Sequence, residues 1–240
     1  MSALRAQALS ELRLQLRNGE QLLVTLGIPI GLLVFFGTVD VLPVDGDDRL
    51  GFLVPGIVAL AVMSSAMVAM GIATGFERSY LVLKRLAVTP LGRPALVAAK
   101  ILVVAAVEVL QLVAVVAVGL ALGWSPEWSG VPLAVAAVVL GTAAFGGIGL
   151  ILAGSLRGPL NLAAQNALYL LLLLTGGLVF SLDRLPGVAG SIAGVLPAAA
   201  LGEVVRAVLT GSDAGLRAWT VLAVWAVAAP VVAGRTFRWS

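Results

Sequence analysis

The chain has 240 residues but contains no cysteine and no histidine, and only 11% of its residues are charged. Without cysteine it can form neither a disulfide nor a thiolate metal site. Without histidine it lacks the commonest metal ligand and the commonest general base. Soluble domains contain about 25% charged residues. The scarcity of charge therefore excludes an ordinary water-soluble domain, and the missing side chains disfavour a metal-dependent enzyme.

What the sequence does contain is apolar: 60% of the residues are hydrophobic, and the mean hydropathy is +1.10. Crossing a bilayer as a helix takes about 20 mainly apolar residues. We therefore predict an all-α, polytopic membrane protein with six transmembrane helices and both termini cytoplasmic. The predicted spans cover approximately residues 21–39, 50–75, 95–123, 131–154, 160–182 and 214–234.

The remaining residues divide into an N-terminal helix and an outer segment. Leucines at helical spacing beside arginines predict that residues 1–20 form an amphipathic helix on the cytoplasmic membrane surface. Residues 21–240 then form a single transmembrane domain. Prolines and glycines interrupt residues 183–213, which predicts short or re-entrant helices at the outer surface.

Residues 76–94, here called the basic segment, lie between the second and third predicted spans. Basic segments between spans are retained in the cytoplasm. The sequence pI of about 10.0 therefore reflects topology, and we do not expect nucleic acid to be a partner. Leucines stand among the charges, which is typical of a docking surface. No G-x-x-x-x-G-K-[ST] motif is present, so energy for transport would enter from a partner or an ion gradient.

The basic segment resembles the first cytoplasmic loop of type-2 ABC exporter permeases. Three further short motifs resemble the same family in the same order along the chain, although Asn18-Gly19 stands where an Asn-Pro is common. The motifs in the basic segment are Glu77-Arg78, Leu83-Lys84-Arg85-Leu86 and Thr89-Pro90-Leu91, and the others are Arg17-Asn18, Phe52-Leu53-Val54-Pro55-Gly56, and Leu196-Pro197 with Glu203, Arg206 and Gly211.

The resemblance implies that two permeases, identical or homologous, pair in the membrane lipid above two ABC ATPase subunits. The basic segment would hold a coupling helix at about residues 77–90, whose charges meet the acidic rim of a groove and whose leucines fill it. The competing interpretation is that these charges only fix topology. The implied coupling residues are Glu77, Arg78, Leu81, Leu83, Lys84, Arg85, Leu86, Thr89 and Pro90.

The same resemblance, to the drug-efflux branch, implies what the chain does. It would be a permease of the bacterial cytoplasmic membrane, no enzyme by itself and binding no cofactor, because ATP and Mg²⁺ belong to the partner ATPase. The exported compound would be hydrophobic or amphipathic: a drug, an antibiotic, a lipid or a glycolipid. Multidrug export and antibiotic resistance are the expected roles.

Glu108 lies in the middle of the third predicted span, with Gln111 a turn later. A carboxyl group at membrane depth costs about 2.5–3.5 kcal/mol on insertion scales. The pair could line a translocation path, or Glu108 could be the proton site of a secondary carrier. Alternatively, Glu108 makes a protonated or hydrogen-bonded contact between helices. Met63 and Met67 could line an adaptable pocket. For Glu108 the sequence favours the contact between helices, and for the methionines it favours a lipid-facing or packing stripe.

Overall fold

The computed structural model describes residues 9, 12–13, 17, 19–39, 48–82, 92–178, 190 and 192–237, with backbone alone at 20–22, 24 and 92–99. The regular secondary structure of these residues is entirely helical. A short 3₁₀ turn, Trp128–Gly130, precedes the fifth helix. The helices are α1 (Gly19–Thr38), α2 (Arg49–Val62), α3 (Met70–Ser79), α4 (Gly92–Ala121), α5 (Val131–Ser155), α6 (Gly158–Thr175), α7 (Pro197–Leu209) and α8 (Gly215–Thr236).

Helices α2 and α3 are joined by a π-helix, Met63–Ala69, into one continuous helix, here called the core helix, Arg49–Ser79. Asp48 starts it, because its Oδ1 accepts a hydrogen bond from the Gly51 backbone N–H at 2.8 Å. In the most apolar stretch of the core helix 78% of the residues are buried, against 28–39% in the other three long helices. The other helices are therefore arranged around it.

Four helices in the described part of the chain are long and apolar enough to cross a membrane: Arg49–Ser79, Lys100–Ala121, Trp128–Ser155 and Gly215–Thr236. They confirm the all-helical, polytopic character that composition predicts. The apolar stretch described in α1, Thr25–Thr38, is shorter. The number of spans and the location of the termini stay predictions.

The predicted ends of two spans differ clearly from the helix ends in the structure. The second span was expected to end near residue 75, but the core helix continues to Ser79 because its last turn is held by contacts with α4, α5 and α6. The fifth span was expected to reach residue 182, but α6 ends at Thr175. Gly177 follows with a φ of 65°, a left-handed conformation that suits glycine and ends the helix. Of the predicted N-terminal helix, residues 9, 12, 13 and 17 are helical, residues 19 and 20 already belong to α1, and the others lie outside the described residues.

The bundle has two distinct ends. Arg78, Arg157 and Arg235 lie at one of them, here called the basic end, where α3, α5 and α8 finish and α6 begins. At the opposite end, α7 packs between the start of the core helix and the turn that follows α6. Within the described part of the outer segment, α7 is thus a largely buried helix.

Among the described helices, α5 and α8 form the most extensive contact. Close approach is possible because α5 is rich in glycine. A Cβ atom at Gly147 would lie 2.5 Å from the carbonyl carbon of Ala229 and from the nitrogen of Pro230. The glycines of α5 thus allow its close packing against α8.

Candidate functional site

The last turn of the core helix contacts the end of α5 through Arg78. Arg78 donates hydrogen bonds from Nη1 to the backbone carbonyl oxygens of Ala153, at 2.7 Å, and Leu156, at 3.1 Å. The last carbonyls of a helix have no partner within it, and they carry the negative end of its dipole. The guanidinium group therefore caps α5 electrostatically as well as by hydrogen bonding.

The next residue holds the start of α6. The backbone N–H of Gly158 donates to Ser79 Oγ at 3.1 Å, and Ser79 Oγ donates to the Gly75 carbonyl at 2.9 Å. The first N–H groups of a helix need such an acceptor. The end of the core helix thus caps the two helices on either side of the 156–157 turn. These contacts of Arg78 and Ser79 are called the Arg78–Ser79 clamp below.

An ion pair connects the core helix to α4. Lys100 Nζ lies 2.8 Å from Glu77 Oε1 and 2.6 Å from Oε2, and their side chains are 12% and 28% exposed. Glu77 lies near the end of the core helix, and Lys100 lies in the first part of α4. The pair therefore closes the base of the basic segment.

These contacts bear on the coupling helix expected at 77–90, which stays a prediction. Residues Glu77 and Arg78 belong to the core helix, and the guanidinium of Arg78 faces carbonyls of α5 instead of an external groove. Leu81 is 49% exposed, and its neighbours Tyr80 and Val82 are exposed too. These three side chains are therefore accessible at the surface of the single chain. The other predicted coupling residues, Leu83, Lys84, Arg85, Leu86, Thr89 and Pro90, lie outside the described residues.

Leu81 has a φ of 60°, and its backbone N–H donates to the Arg78 carbonyl at 3.1 Å. A left-handed residue at this point is a usual way to end a helix, but the residue is normally glycine. A side chain with a Cβ costs about 1–2 kcal/mol there. The sharp exit from the core helix is therefore strained.

Buried amides join α6 to the core helix and α5. Asn161 Nδ2 donates to the Gly71 carbonyl, and Gln165 Nε2 donates to the Gly149 carbonyl, each at 2.9 Å. Both amide side chains are fully buried, and Gln165 Oε1 has no hydrogen-bond partner among the described residues. Their spacing of four residues places them on one face of α6. Their partners show that they hold helices together.

Glu108 is enclosed by hydroxyl groups from the core helix and α5. Ser65 Oγ donates to Glu108 Oε1 at 3.0 Å, and Thr142 Oγ1 donates to Oε2 at 2.8 Å. Each hydroxyl also lies within hydrogen-bond distance of a carbonyl of its own helix, at Ala61 for Ser65 and Val138 for Thr142. Glu108 is 4% exposed. The contact therefore connects three helices inside one chain.

Ser65 belongs to the π-helix, where the Met70 backbone N–H reaches the Ser65 carbonyl five residues back. Neither glycine nor proline occurs in Met63–Ala69. π-helical turns inside α-helices are frequent at functional positions. The hydroxyl that contacts Glu108 is thus presented by the irregular part of the core helix.

The other predicted path residues are also buried in the single chain. Gln111 is 0% exposed and donates from Nε2 to the Thr25 carbonyl of α1 at 2.8 Å. Met63 and Met67 are 0% exposed and belong to the hydrophobic core. A path between two permeases would be lined by the outer surface of each. In this conformation these side chains do not reach such a surface.

At the opposite end, Arg206 of α7 connects three elements. Its guanidinium carbon lies 3.8 Å from the centre of the Phe52 ring, and Nη2 donates to the Gly177 carbonyl at 3.1 Å. A cation over an aromatic face is stabilised further when water is excluded. Arg206 thus ties the outer segment to the start of the core helix and the end of α6.

Several partners in these contacts were missed by sequence reasoning. Hydroxyl residues within apolar spans, at Ser65 and Thr142, were a usable signal because such groups bond across membrane helices. The role of Ser79 carried no signal, because it depends on the position of the 156–157 turn. No signal for the π-helix is visible either.

Taken together, the geometry defines a multi-pass membrane protein whose core helix ends in a clamp beside a basic segment. The profile of the ABC-2 type transporter family matches residues 3–210. The chain therefore belongs to the ABC-2 type transporter family, which makes it a transporter membrane subunit and implies association with an ABC ATPase subunit. No match was found among curated proteins.

Proposed function

We propose that this chain is the permease subunit of an ATP-driven ABC exporter of the bacterial cytoplasmic membrane. The observation that carries the proposal is the family match, which extends over residues 3–210 and includes the basic segment. A separate ATPase subunit binds ATP and Mg²⁺, and this chain provides the membrane path.

The proposed assembly contains two permeases, identical or homologous, with six spans each and both termini in the cytoplasm. The basic end of the bundle then faces the cytoplasm. Charge bias supports this orientation, because Lys and Arg are retained on the cytoplasmic side. The exposed side chains of Tyr80, Leu81 and Val82 lie at that end, directly before the undescribed part of the basic segment.

The proposed substrate is a hydrophobic or amphipathic compound such as a drug, an antibiotic or a lipid. Resemblance to the drug-efflux branch supports this class. The exposed surfaces of α4, α5 and α8 are apolar, with Val109, Leu133 and Val227 each more than half exposed. A charged solute would find little on them to replace its hydration.

The alternative function, a proton-driven carrier, depends on Glu108. It predicts transport without an ATPase and loss of coupling in Glu108→Gln. In the structure Glu108 is held between Ser65 and Thr142 inside one chain, which supports a structural contact between helices. We therefore prefer the ATP-driven function.

Co-purification with the candidate ATPase tests the proposal. The variant is Lys84→Glu/Arg85→Glu, since Arg78 is engaged in the clamp and its change would also disturb the fold. The control is Arg157→Glu/Arg235→Glu, which reverses two exposed charges at the same end of the bundle. We expect the ATPase to bind wild type and the control, and to be lost from the variant.

Membrane insertion and the elution profile in detergent are compared for all three proteins. An ATPase that binds all three equally would show that the charges serve topology alone. Absence of binding to wild type would reject the ABC exporter, and Glu108 would then be the residue to study.

A further inference from the structure

The Arg78–Ser79 clamp places the α5–α6 turn directly against the origin of the basic segment. Only Tyr80, Leu81 and Val82 separate the clamp from the rest of that segment. Force that passes from the basic segment back along the chain into the core helix therefore meets the clamp before it reaches the interior of the bundle. The clamp is part of neither the predicted coupling set nor the predicted translocation path, apart from Arg78 itself.

The interface behind the clamp is close-packed. The Asn161 amide lies so close to Gly75 that a Cβ there has no space, and the Gln165 amide excludes one at Gly71 in the same way. The same amides bond to the carbonyls of Gly71 and Gly149. Packed interiors of this kind transmit displacement instead of absorbing it.

We propose that the clamp makes the end of the core helix and the α5–α6 turn move as one body, so that Arg78 and Ser79 are positioning residues that pass the ATPase stroke into α5 and α6. This inference rests on the proposed function. It assigns Arg78 a role in transmission, where the sequence assigned it a role in docking.

A cross-link tests whether the two parts separate during the cycle. The chain contains no native cysteine, so Ser79→Cys/Gly158→Cys provides the only thiols of the permease. An ideal Cβ at residue 158 lies 3.0 Å from Ser79 Oγ, which is within reach of a disulfide. The complex with its ATPase is reconstituted in proteoliposomes and oxidised, and ATP hydrolysis and dye transport are measured.

If the two parts move together, the oxidised complex retains ATP hydrolysis and transport. Loss of both on oxidation, with recovery after a reductant, would overturn the proposal, because it would show that the parts must separate. The probe is a hydrophobic fluorescent dye that the wild-type complex moves. A wild-type permease that binds no ATPase or moves no dye would reject the proposed function instead.

A second set of variants tests transmission directly. Couplings between sites commonly amount to factors of about 5–150, so we expect Arg78→Gln to lower dye moved per ATP hydrolysed by about tenfold. Arg78→Lys restores part of the ratio, because an ammonium group can still donate to one of the two carbonyls. Arg157→Gln, an exposed change in the same turn, leaves the ratio unchanged.

ATPase binding is measured for each variant and is expected to stay at the wild-type level. Loss of binding in Arg78→Gln would return the residue to the docking surface and overturn the proposal. A wild-type ratio of transport to hydrolysis in Arg78→Gln would overturn it as well. Should Arg78→Gln fail to insert, the cross-linked pair still decides the question.

Discussion

Among single residues, Glu108 shows how hydroxyl groups can accommodate a buried carboxyl group. Ser65 and Thr142 each have one proton, for which Glu108 and carbonyls of their own helix compete as acceptors. If Glu108 stops accepting, each hydroxyl can turn to its own carbonyl. If a hydroxyl is removed, however, the carboxyl oxygen that it served loses its donor.

This asymmetry predicts that Thr142→Val destabilises the protein more than Glu108→Gln. Valine has the shape of threonine but leaves Glu108 Oε2 without its donor, at a cost of about 1–3 kcal/mol. Glutamine can donate to one hydroxyl and accept from the other. Thermal unfolding in detergent measures both variants. An equal or larger loss in Glu108→Gln would contradict the assignment of the hydroxyls as the flexible partners.

Leu81 gives a second prediction, because its left-handed backbone and its exposed side chain have separate effects. Leu81→Gly relieves about 1–2 kcal/mol of strain, whereas Leu81→Ala retains it. We expect the glycine variant to unfold at a higher temperature than the alanine variant. Both variants should bind the ATPase more weakly than wild type, since both lack the exposed side chain. Full binding by the alanine variant would remove Leu81 from the docking surface.

Sequence reasoning identified Glu108 because a carboxyl group within an apolar span is conspicuous. It could not identify its partners, since Ser65 and Thr142 lie 43 and 34 residues away in the chain. For Arg78 the sequence predicted a charge in a cytoplasmic loop but not the carbonyl oxygens that it contacts. A long side chain at a helix end can reach outward or sideways, and only the position of α5 decides between them.

At the scale of helices, the core helix packs closely against the amide side chains of α6. Hydropathy located most of this helix, because its central stretch is strongly apolar. Its extension to Ser79 was missed because Glu77 and Arg78 were counted as loop charges. The π-helix was missed because its residues suit an α-helix equally well.

The amide contacts predict that Gly71→Ala is strongly destabilising. A methyl group there would displace the Gln165 amide, and overpacking of this kind costs about 1–3 kcal/mol. Gly31→Ala in α1 is the matched control, because a Cβ there meets nothing within 4 Å. The control should be neutral or slightly stabilising, since alanine favours helix more than glycine does. Similar unfolding temperatures for both variants would show that α6 packs differently.

For the whole molecule, the sequence predicts which end of the bundle faces the cytoplasm, and labelling can test that orientation. In the cysteine-free chain, single cysteines at Val82 and Ser155 mark the basic end, and those at Ser129 and Ser212 mark the opposite end. All four positions are exposed. A membrane-impermeant maleimide applied to intact cells should label only residues 129 and 212. Labelling of residues 82 and 155 instead would invert the orientation and exclude an ATPase at the basic end.

The internal contacts of Asn161 and Gln165 also bear on the life of the protein before assembly. Their amide N–H groups find acceptors in the same chain, so a single copy needs neither a second permease nor an ATPase to shelter them. Newly inserted copies should therefore resist membrane proteases while they wait for partners. On the proposed function, we expect a cell that makes more permease than ATPase to accumulate intact orphan subunits.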